Sequence, residues 1–242
     1  YPDCRMNSLW PHQQAAIDFA LAHKNCMIAM EPGTGKTRVA IELIKDQEMH
    51  RATTLVLCPK SVLGVWRREL QQWLGWPASC WLITDGHQAR KHADYVSSFL
   101  HNDAPYRILV LNYDAARGYL GNILRLQKWD TIVLDESQRT KGHSTKTSRM
   151  VWELAKQQPS WGRRYCLSGT PMPHSPLDIF AQARFIDYLH YGASWTKFRA
   201  SYARLRHIPG VPVPIVDGYQ NLDELQAIFR QFRAASPDTP ID

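Results

Sequence analysis

The sequence predicts an α/β fold: a central, mainly parallel sheet flanked by helices on both faces. Two observations carry this expectation. Short, β-branched apolar runs recur between longer amphipathic stretches, the pattern of repeated βαβ units. The runs are also continuously apolar, as strands buried on both faces must be. In chain order, a helix is expected from Pro11 to His23, with proline in the first turn, where a missing N–H costs nothing. A strand (25–30, NCMIAM) and a helix from Lys36 to Asp46 follow. Next come a strand from Thr53 to Cys58, a helix from Ser61 to Trp73, a strand from Cys80 to Thr84 and a helix from His87 to Leu100. Strands are expected again from Arg107 to Asn112, Thr131 to Asp135 and Arg164 to Ser168. The last two helices span Thr147 to Lys156 and Pro176 to Tyr188, the latter again opened by proline. From about Trp195 the alternation stops. HIPGVPVPIVDGY is a Pro- and Gly-punctuated connection, and SPDTPID an expected frayed tail.

Composition narrows the class. The 242 residues are 44% hydrophobic, 11% aromatic and 21% charged, which suits a globular chain with a sizeable core rather than a disordered or fibrous one. No apolar run approaches the roughly 18 to 20 residues of a membrane helix, so no membrane partner is expected. Asp3, Arg5 and Asn7 interrupt the opening residues, which therefore do not read as a secretory signal, and Tyr1 reads as a trimmed start. Five scattered cysteines without a C-x-x-C pair argue against a disulfide framework or zinc site and fit a reducing cytoplasm. The formal charge of +7 makes an anionic partner plausible, with nucleic acid first. Two acid-free stretches concentrate it. One holds Arg139, Lys141, Lys146 and Arg149; the other holds Lys197, Arg199, Arg204 and Arg206. Each reads equally well as solvated surface or phosphate-binding patch.

EPGTGKT, Glu31 to Thr37, lies directly between an apolar run and a helical pattern. That is the context of a phosphate cradle for ATP. Pro32, Gly33, Thr34 and Gly35 shape the loop, whose N–H groups face the phosphates at a helix N-terminus. Lys36 would reach the β- and γ-phosphates and Thr37 would offer its hydroxyl to Mg2+, with Arg38 next in line. The first glycine of the strict G-x-x-x-x-G-K-[ST] pattern is Met30 here, so the match is to a shortened G-x-G-K-T form. About a hundred residues later, TIVLDES ends an apolar run in Asp135 and Glu136. Asp135 would hold Mg2+ through water, and Glu136 would polarise the attacking water, which implies hydrolysis.

With these residues in place, the chain resembles the superfamily 2 helicases and translocases, most closely the SWI/SNF-type ATPases with DEAH-like boxes. LWPHQ looks like the motif in which a glutamine, here Gln13, reads adenine. EPGTGKT is similar to motif I, LVLCPKSVLGVWRREL to motif Ia, VLDESQRTKG to motif II and CLSGTPMPHSPLDIF to motif III. LVLNYDAAR sits where that family has a Thr-Tyr or Asn-Tyr element. The resemblance implies a RecA-like P-loop NTPase lobe over 1–192, and a helical extension and linker over 193–242 leading toward a second lobe. It also implies that Pro59, Lys60, Ser61, Asn112, Tyr113, Arg139 and Lys141 face DNA phosphates, double-stranded DNA being favoured. Ser168, Gly169 and Thr170 would couple that track to the ATP site. Two departures stand out: Gln138 replaces the histidine of the DEAH box, and nothing like motifs IV to VI follows.

Other residues have simpler readings. Trp66, Trp73 and Trp152 could stack bases but fall on apolar helical faces, where core packing is the better account. His12, His143 and His174 lack metal-ligand spacing, and Cys58 and Cys166 read as small buried hydrophobes. The leading expectation is a bacterial or phage-type ATP-dependent translocase on duplex DNA, cytoplasmic or nucleoid-associated. A strand-separating DNA or RNA helicase is the alternative within that class. A nucleotide-dependent nucleic-acid-binding module with little turnover is the alternative outside it, with a P-loop kinase further behind.

Overall fold

Seven parallel strands form one sheet, and its central strands are buried on both faces because their sequences are largely apolar. The computed structural model describes residues 8–46, 52–74, 81–85, 93–104, 106–118, 120–209 and 214–235. Helix α1 (Pro11–His23) leads into β1 (Asn25–Ala29), the phosphate-loop segment and α2 (Lys36–Lys45). Strand β2 (Ala52–Cys58) is followed by a short 3-10 turn (Lys60–Val62) and α3 (Leu63–Trp73). Then come β3 (Trp81–Thr84), α4 (Ala93–Leu100) and β4 (Tyr106–Asn112). Two short helices, α5 (Tyr113–Arg117) and α6 (Gly121–Leu126), precede β5 (Thr131–Asp135). A 3-10 turn (Ser137–Thr140), α7 (Lys146–Gln157), β6 (Arg163–Ser168) and α8 (Ile179–Ile186) follow.

The strand order β3-β4-β2-β5-β6-β1 is extended at its far edge by β9 (Arg233–Ala235). Every pairing in this sheet is parallel. Alternate residues of each strand enter two separate cores, as a period of two requires. On one face Cys26, Ile28, Val56, Cys58 and Val133 pack with α1, α2 and α3 through Ala20, Ile41 and Trp66. On the other, Met27, Leu55, Leu57 and Leu134 pack with α4 to α8 through residues such as Phe99, Leu124, Val151 and Phe185. The α/β class with both faces covered is therefore as expected.

The expected strands and helices are present with ends shifted by a residue or a few. Cys80, residues 87–92 and the SPDTPID tail lie outside the described residues. The helix expected from Ser61 begins as a 3-10 turn at Lys60, and the one expected from Pro176 opens as a 3-10 turn (Pro176–Asp178) capped by Ser175.

The stretch from 193 differs more from a helical extension and linker. It does contain helices, α9 (Trp195–Tyr202) and α10 (Leu222–Gln231). Between them stands an antiparallel hairpin of β7 (Ala203–Arg206) and β8 (Ile215–Tyr219). After them, β9 pairs with β1, and the Met27 N–H donates to the Phe232 carbonyl at 2.8 Å. Aromatic burial accounts for the return: Phe198, Tyr202, Phe229 and Phe232 are buried in the same core as the strands.

Candidate nucleotide site and nucleic-acid face

Parallel α/β sheets carry their ligands outside the carboxyl ends of the strands. At that edge β6 lies between β1, which runs into EPGTGKT, and β5, which ends in Asp135. The phosphate-loop segment, the acidic pair and Ser168 are thus delivered by three adjacent strands.

The loop turns through Gly33 and Gly35, at φ +81° and +87°. At Gly33 a Cβ would meet nothing within 4 Å, so the loop is open on that side. At Gly35 it would stand 2.3 Å from Gln13 Nε2, so only glycine fits beneath that amide. Gln13 is buried, accepts from the Trp10 N–H at 3.0 Å and donates to the Thr34 carbonyl at 3.1 Å. His12 Nε2 lies 3.1 Å from the same carbonyl. The Thr34 hydroxyl donates to the Glu31 carbonyl at 2.7 Å, which fixes the turn from within.

Lys36 Nζ donates to the carbonyls of Met30 at 2.9 Å and Glu31 at 3.0 Å. An ammonium has three donors, so one remains for a phosphate. Burial pushes the Lys36 pKa below its ordinary value, and the nearby Glu136 and Asp135 carboxylates offset part of that. Asp135 is buried; burial raises its carboxyl pKa, the Trp66 indole N–H lowers it, and the neighbouring Glu136 charge raises it again. Trp66 donates to Asp135 Oδ2 at 2.8 Å, and the Glu136 N–H donates to Oδ1 at 3.0 Å. The hydroxyl of Thr37 and the carboxylate of Asp135 are hard oxygen donors of the kind magnesium takes. They fit that ion in chemistry.

Glu136 adopts the left-handed backbone region at φ 51°, a conformation that costs a non-glycine residue about 1–2 kcal/mol. Its side chain is not free. Gln138 Nε2 donates to Glu136 Oε2 at 2.6 Å, and Gln138 Oε1 accepts from the Ser168 hydroxyl at 2.8 Å. The Thr170 N–H then donates to Ser168 Oγ at 3.1 Å. One unbroken run of hydrogen bonds thus joins the acidic pair to the loop after β6. The replaced histidine position is the bridge of that run. Gly169 completes the join from the other side, since a Cβ there would stand 3.0 Å from Pro32 Cδ. Beside it, Ser137 donates to Gln182 Oε1 at 2.7 Å, and Gln182 Nε2 donates to the Pro171 carbonyl at 2.7 Å.

Arg38 stands apart from the other loop residues. Its guanidinium pairs with Glu42 at 2.7 Å and lies 3.8 Å above the Trp73 ring, so it ties α2 to α3. Its Nη1 is buried without a hydrogen-bond partner.

A cavity of about 180 Å³ gathers most of the expected nucleic-acid residues: Pro59, Lys60, Asn112, Tyr113 and Arg139 all line it. Cys58, Asp114, Arg117 and Thr147 complete the wall, the last three without a signal of their own in the sequence. Asn112 is buried with its Oδ1 unpartnered. Tyr113 departs from the expectation of a phosphate-facing hydroxyl: it donates inward, to the Asp135 carbonyl at 2.9 Å, and burial holds its pKa well above the ordinary value. Its role is to brace β5. Lys60 reaches Asp85 at 3.3 Å, while Ser61 and Lys141 lie outside the cavity lining.

Two further residues do more than their sequence context indicates. Trp66 is fully buried, as core packing requires, but it also holds the site carboxylate. His12 contributes to the loop itself. The buried Cys26, Cys58 and Cys166 are free thiols whose pKa values burial raises, Cys26 to about 12. Among the described residues no helix is long and apolar enough to cross a membrane, and no cluster of His, Cys, Asp and Glu could hold a metal by itself.

Comparison with known proteins identifies the fold and the family. The chain resembles the human DNA repair and recombination protein RAD54B, at 26% identity over 213 residues, covering 80% of this chain and 22% of that protein. It is 25% identical over 232 residues to the putative ATP-dependent helicase/translocase YwqA of Bacillus subtilis, covering 93% of this chain and 23% of that one. The chain thus spans between a fifth and a quarter of the length of these relatives. In three dimensions it matches the Sulfolobus solfataricus SWI2/SNF2 ATPase core in complex with dsDNA with a TM-score of 0.72, at 24% identity, covering 96% of this chain and 45% of that one. The seven-stranded sheet is that RecA-like fold. The model of the SNF2-related domain matches residues 11–234, nearly the whole chain, and the chain belongs to that family.

Proposed function

We propose that this chain is the first RecA-like lobe of an SNF2-type ATP-dependent motor on double-stranded DNA. The observation that carries the reading is the convergence of Lys36, Asp135, Glu136 and Ser168 at one sheet edge, beside a cavity lined by Lys60, Asn112 and Arg139. Lys36 and the loop N–H groups bind and orient the ATP phosphates, and Gln13 lies at the loop for the base. Thr37 and Asp135 hold Mg2+, which supplies charge neutralisation on the phosphates. Glu136 accepts the proton of the attacking water and is kept in orientation by Gln138. Lys60, Arg139 and the neighbouring backbone contact DNA phosphates without reading sequence.

The chain spans less than half of the Sulfolobus ATPase core it resembles. Full turnover is accordingly assigned to this lobe acting with a second one, the residues here binding and positioning. The test is calorimetric titration of the chain with ATP and Mg2+, with Lys36→Ala as the comparison. Binding that Lys36→Ala lowers by at least tenfold is expected, because the phosphates lose their main counter-charge. Equal affinity in the two proteins would remove the loop from the nucleotide site. Duplex DNA stimulating hydrolysis more than single-stranded DNA would favour the translocase over the strand-separating alternative.

A further inference from the structure

A second cavity, of about 220 Å³, lies next to the one already described and is lined by Arg117, Arg125, Lys146, Arg149, Met150 and Glu153. Four of these six are cations. Three helices supply them: Arg117 ends α5, Arg125 lies in α6, and Lys146, Arg149, Met150 and Glu153 recur at helical spacing along one face of α7. Met150 is buried and forms an apolar floor. The two nearby carboxylates are already engaged, Glu153 by Arg125 at 3.1 Å and Asp114 by Arg117. Lys146 and Arg149 have no carboxylate partner among the described residues, and both are exposed. Folding thus leaves a concave, net positive surface that packing alone does not require. Arg117 also lines the first cavity, so the two adjoin at its side chain.

We infer that this second cavity is a further phosphodiester-binding site, and that duplex DNA held at Lys60 and Arg139 continues across Arg117 onto Lys146, Arg149 and Arg125. The inference rests on the nucleic-acid reading above and extends it to residues outside the recognised motifs. Duplex DNA suits the surface better than a mononucleotide. The lining has no aromatic ring for a base to stack on, and its cations come from three separate helices, as contacts to successive backbone phosphates need.

The test is duplex DNA binding by the chain across a salt series, comparing wild type with the double variant Lys146→Glu, Arg149→Glu. Glutamate at position 146 lies in the first turn of α7, where it favours the helix dipole, so the fold is not expected to suffer. A second pair, Lys24→Glu with Arg230→Glu, makes the same change in net charge at exposed positions outside both cavities. The α7 pair is expected to weaken binding by roughly tenfold or more and to lower the salt slope by about two, one for each lost phosphate contact. The control pair should change affinity less than threefold. Equal losses in both pairs would reduce the effect to net charge and overturn the inference, as would an unchanged slope in the α7 pair. Failure of the wild-type chain to bind duplex DNA would also overturn it. The nucleotide assignment is tested separately by Lys36→Ala, so failure of one is distinguishable from failure of the other.

Discussion

Asp135 carries an electrostatic conflict at the centre of the site. It is buried beside Glu136, and its oxygens are held by the Trp66 indole and the Glu136 N–H. Burial is the largest influence and raises its pKa above the ordinary 3.8. The folded state therefore binds a proton more tightly than the unfolded chain between 3.8 and the raised value. Stability must fall as pH rises through that window and stay lowered above it. Asp135→Asn removes the titration and keeps an oxygen for Trp66, but turns its amide NH2 toward the Glu136 N–H, a loss that does not depend on pH. Its stability relative to the wild type is expected to rise with pH through the window, by about 1.4 kcal/mol for every tenfold by which folding tightens proton binding at Asp135. It should lose that gain as the wild type is acidified through the window. Urea unfolding at a series of pH values checks this, and a difference independent of pH would show that burial does not dominate. Such a conflict is what a cation site looks like before its cation is counted. At this scale the sequence is partly legible. Asp135 and Lys36 stand in local motifs, whereas Trp66 meets Asp135 across 69 residues and Gln182 meets Ser137 across 45, partnerships no short window can reveal.

Elements are legible in proportion to their hydrophobic pattern. β2, β4 and β5 are continuous apolar runs and match their expected bounds almost to the residue, while β9 is Arg-Ala-Ala, which has no strand propensity of its own. What places β9 is the aromatic residue before it. Phe232 is buried, lies 4.2 Å from the His190 ring and 5.4 Å from Phe229, and its carbonyl accepts from Met27. The pairing is thus a consequence of tertiary packing rather than of local preference. The hairpin of β7 and β8 is equally hard to read from sequence, because its residues are largely exposed and lack alternation. Phe232→Ala is expected to cost about 3–5 kcal/mol, the usual range for deleting a buried ring. Denaturant unfolding measures it. A cost below about 1 kcal/mol would mean that β9 and α10 are not integral to the sheet, and that the linker reading of 193–242 describes them better.

At the scale of the whole molecule, two polar contacts meet at the end of β5, between the proposed nucleotide site and the proposed nucleic-acid face. Tyr113, in the wall of the first cavity, donates to the Asp135 carbonyl, and Gln138 joins Glu136 to Ser168. Both contacts act on residues at the end of β5, so a shift there is felt at both surfaces. Coupling between two ligands is a free energy shared by both, typically about 1–3 kcal/mol, and it is reciprocal. Duplex DNA is therefore expected to change the affinity for ATP by the same factor as ATP changes that for DNA. Gln138→Ala cuts the Glu136–Ser168 link while leaving the Tyr113 contact, the phosphate loop and the cavity lining in place. It should leave ATP affinity in the absence of DNA within about threefold, and DNA affinity in the absence of ATP likewise, while moving the coupling factor toward one. Gln138→His, which can still donate and accept, should retain part of the coupling. Titrations of ATP with and without saturating duplex DNA, in wild type and both variants, read the factor directly. If Gln138→Ala lowers both separate affinities but preserves their ratio, Gln138 holds the site together without connecting it to DNA. If it moves the ratio alone toward one, the DESQ box transmits through its glutamine what a DEAH-like box would transmit through histidine, and does so with a group that carries no charge at any working pH.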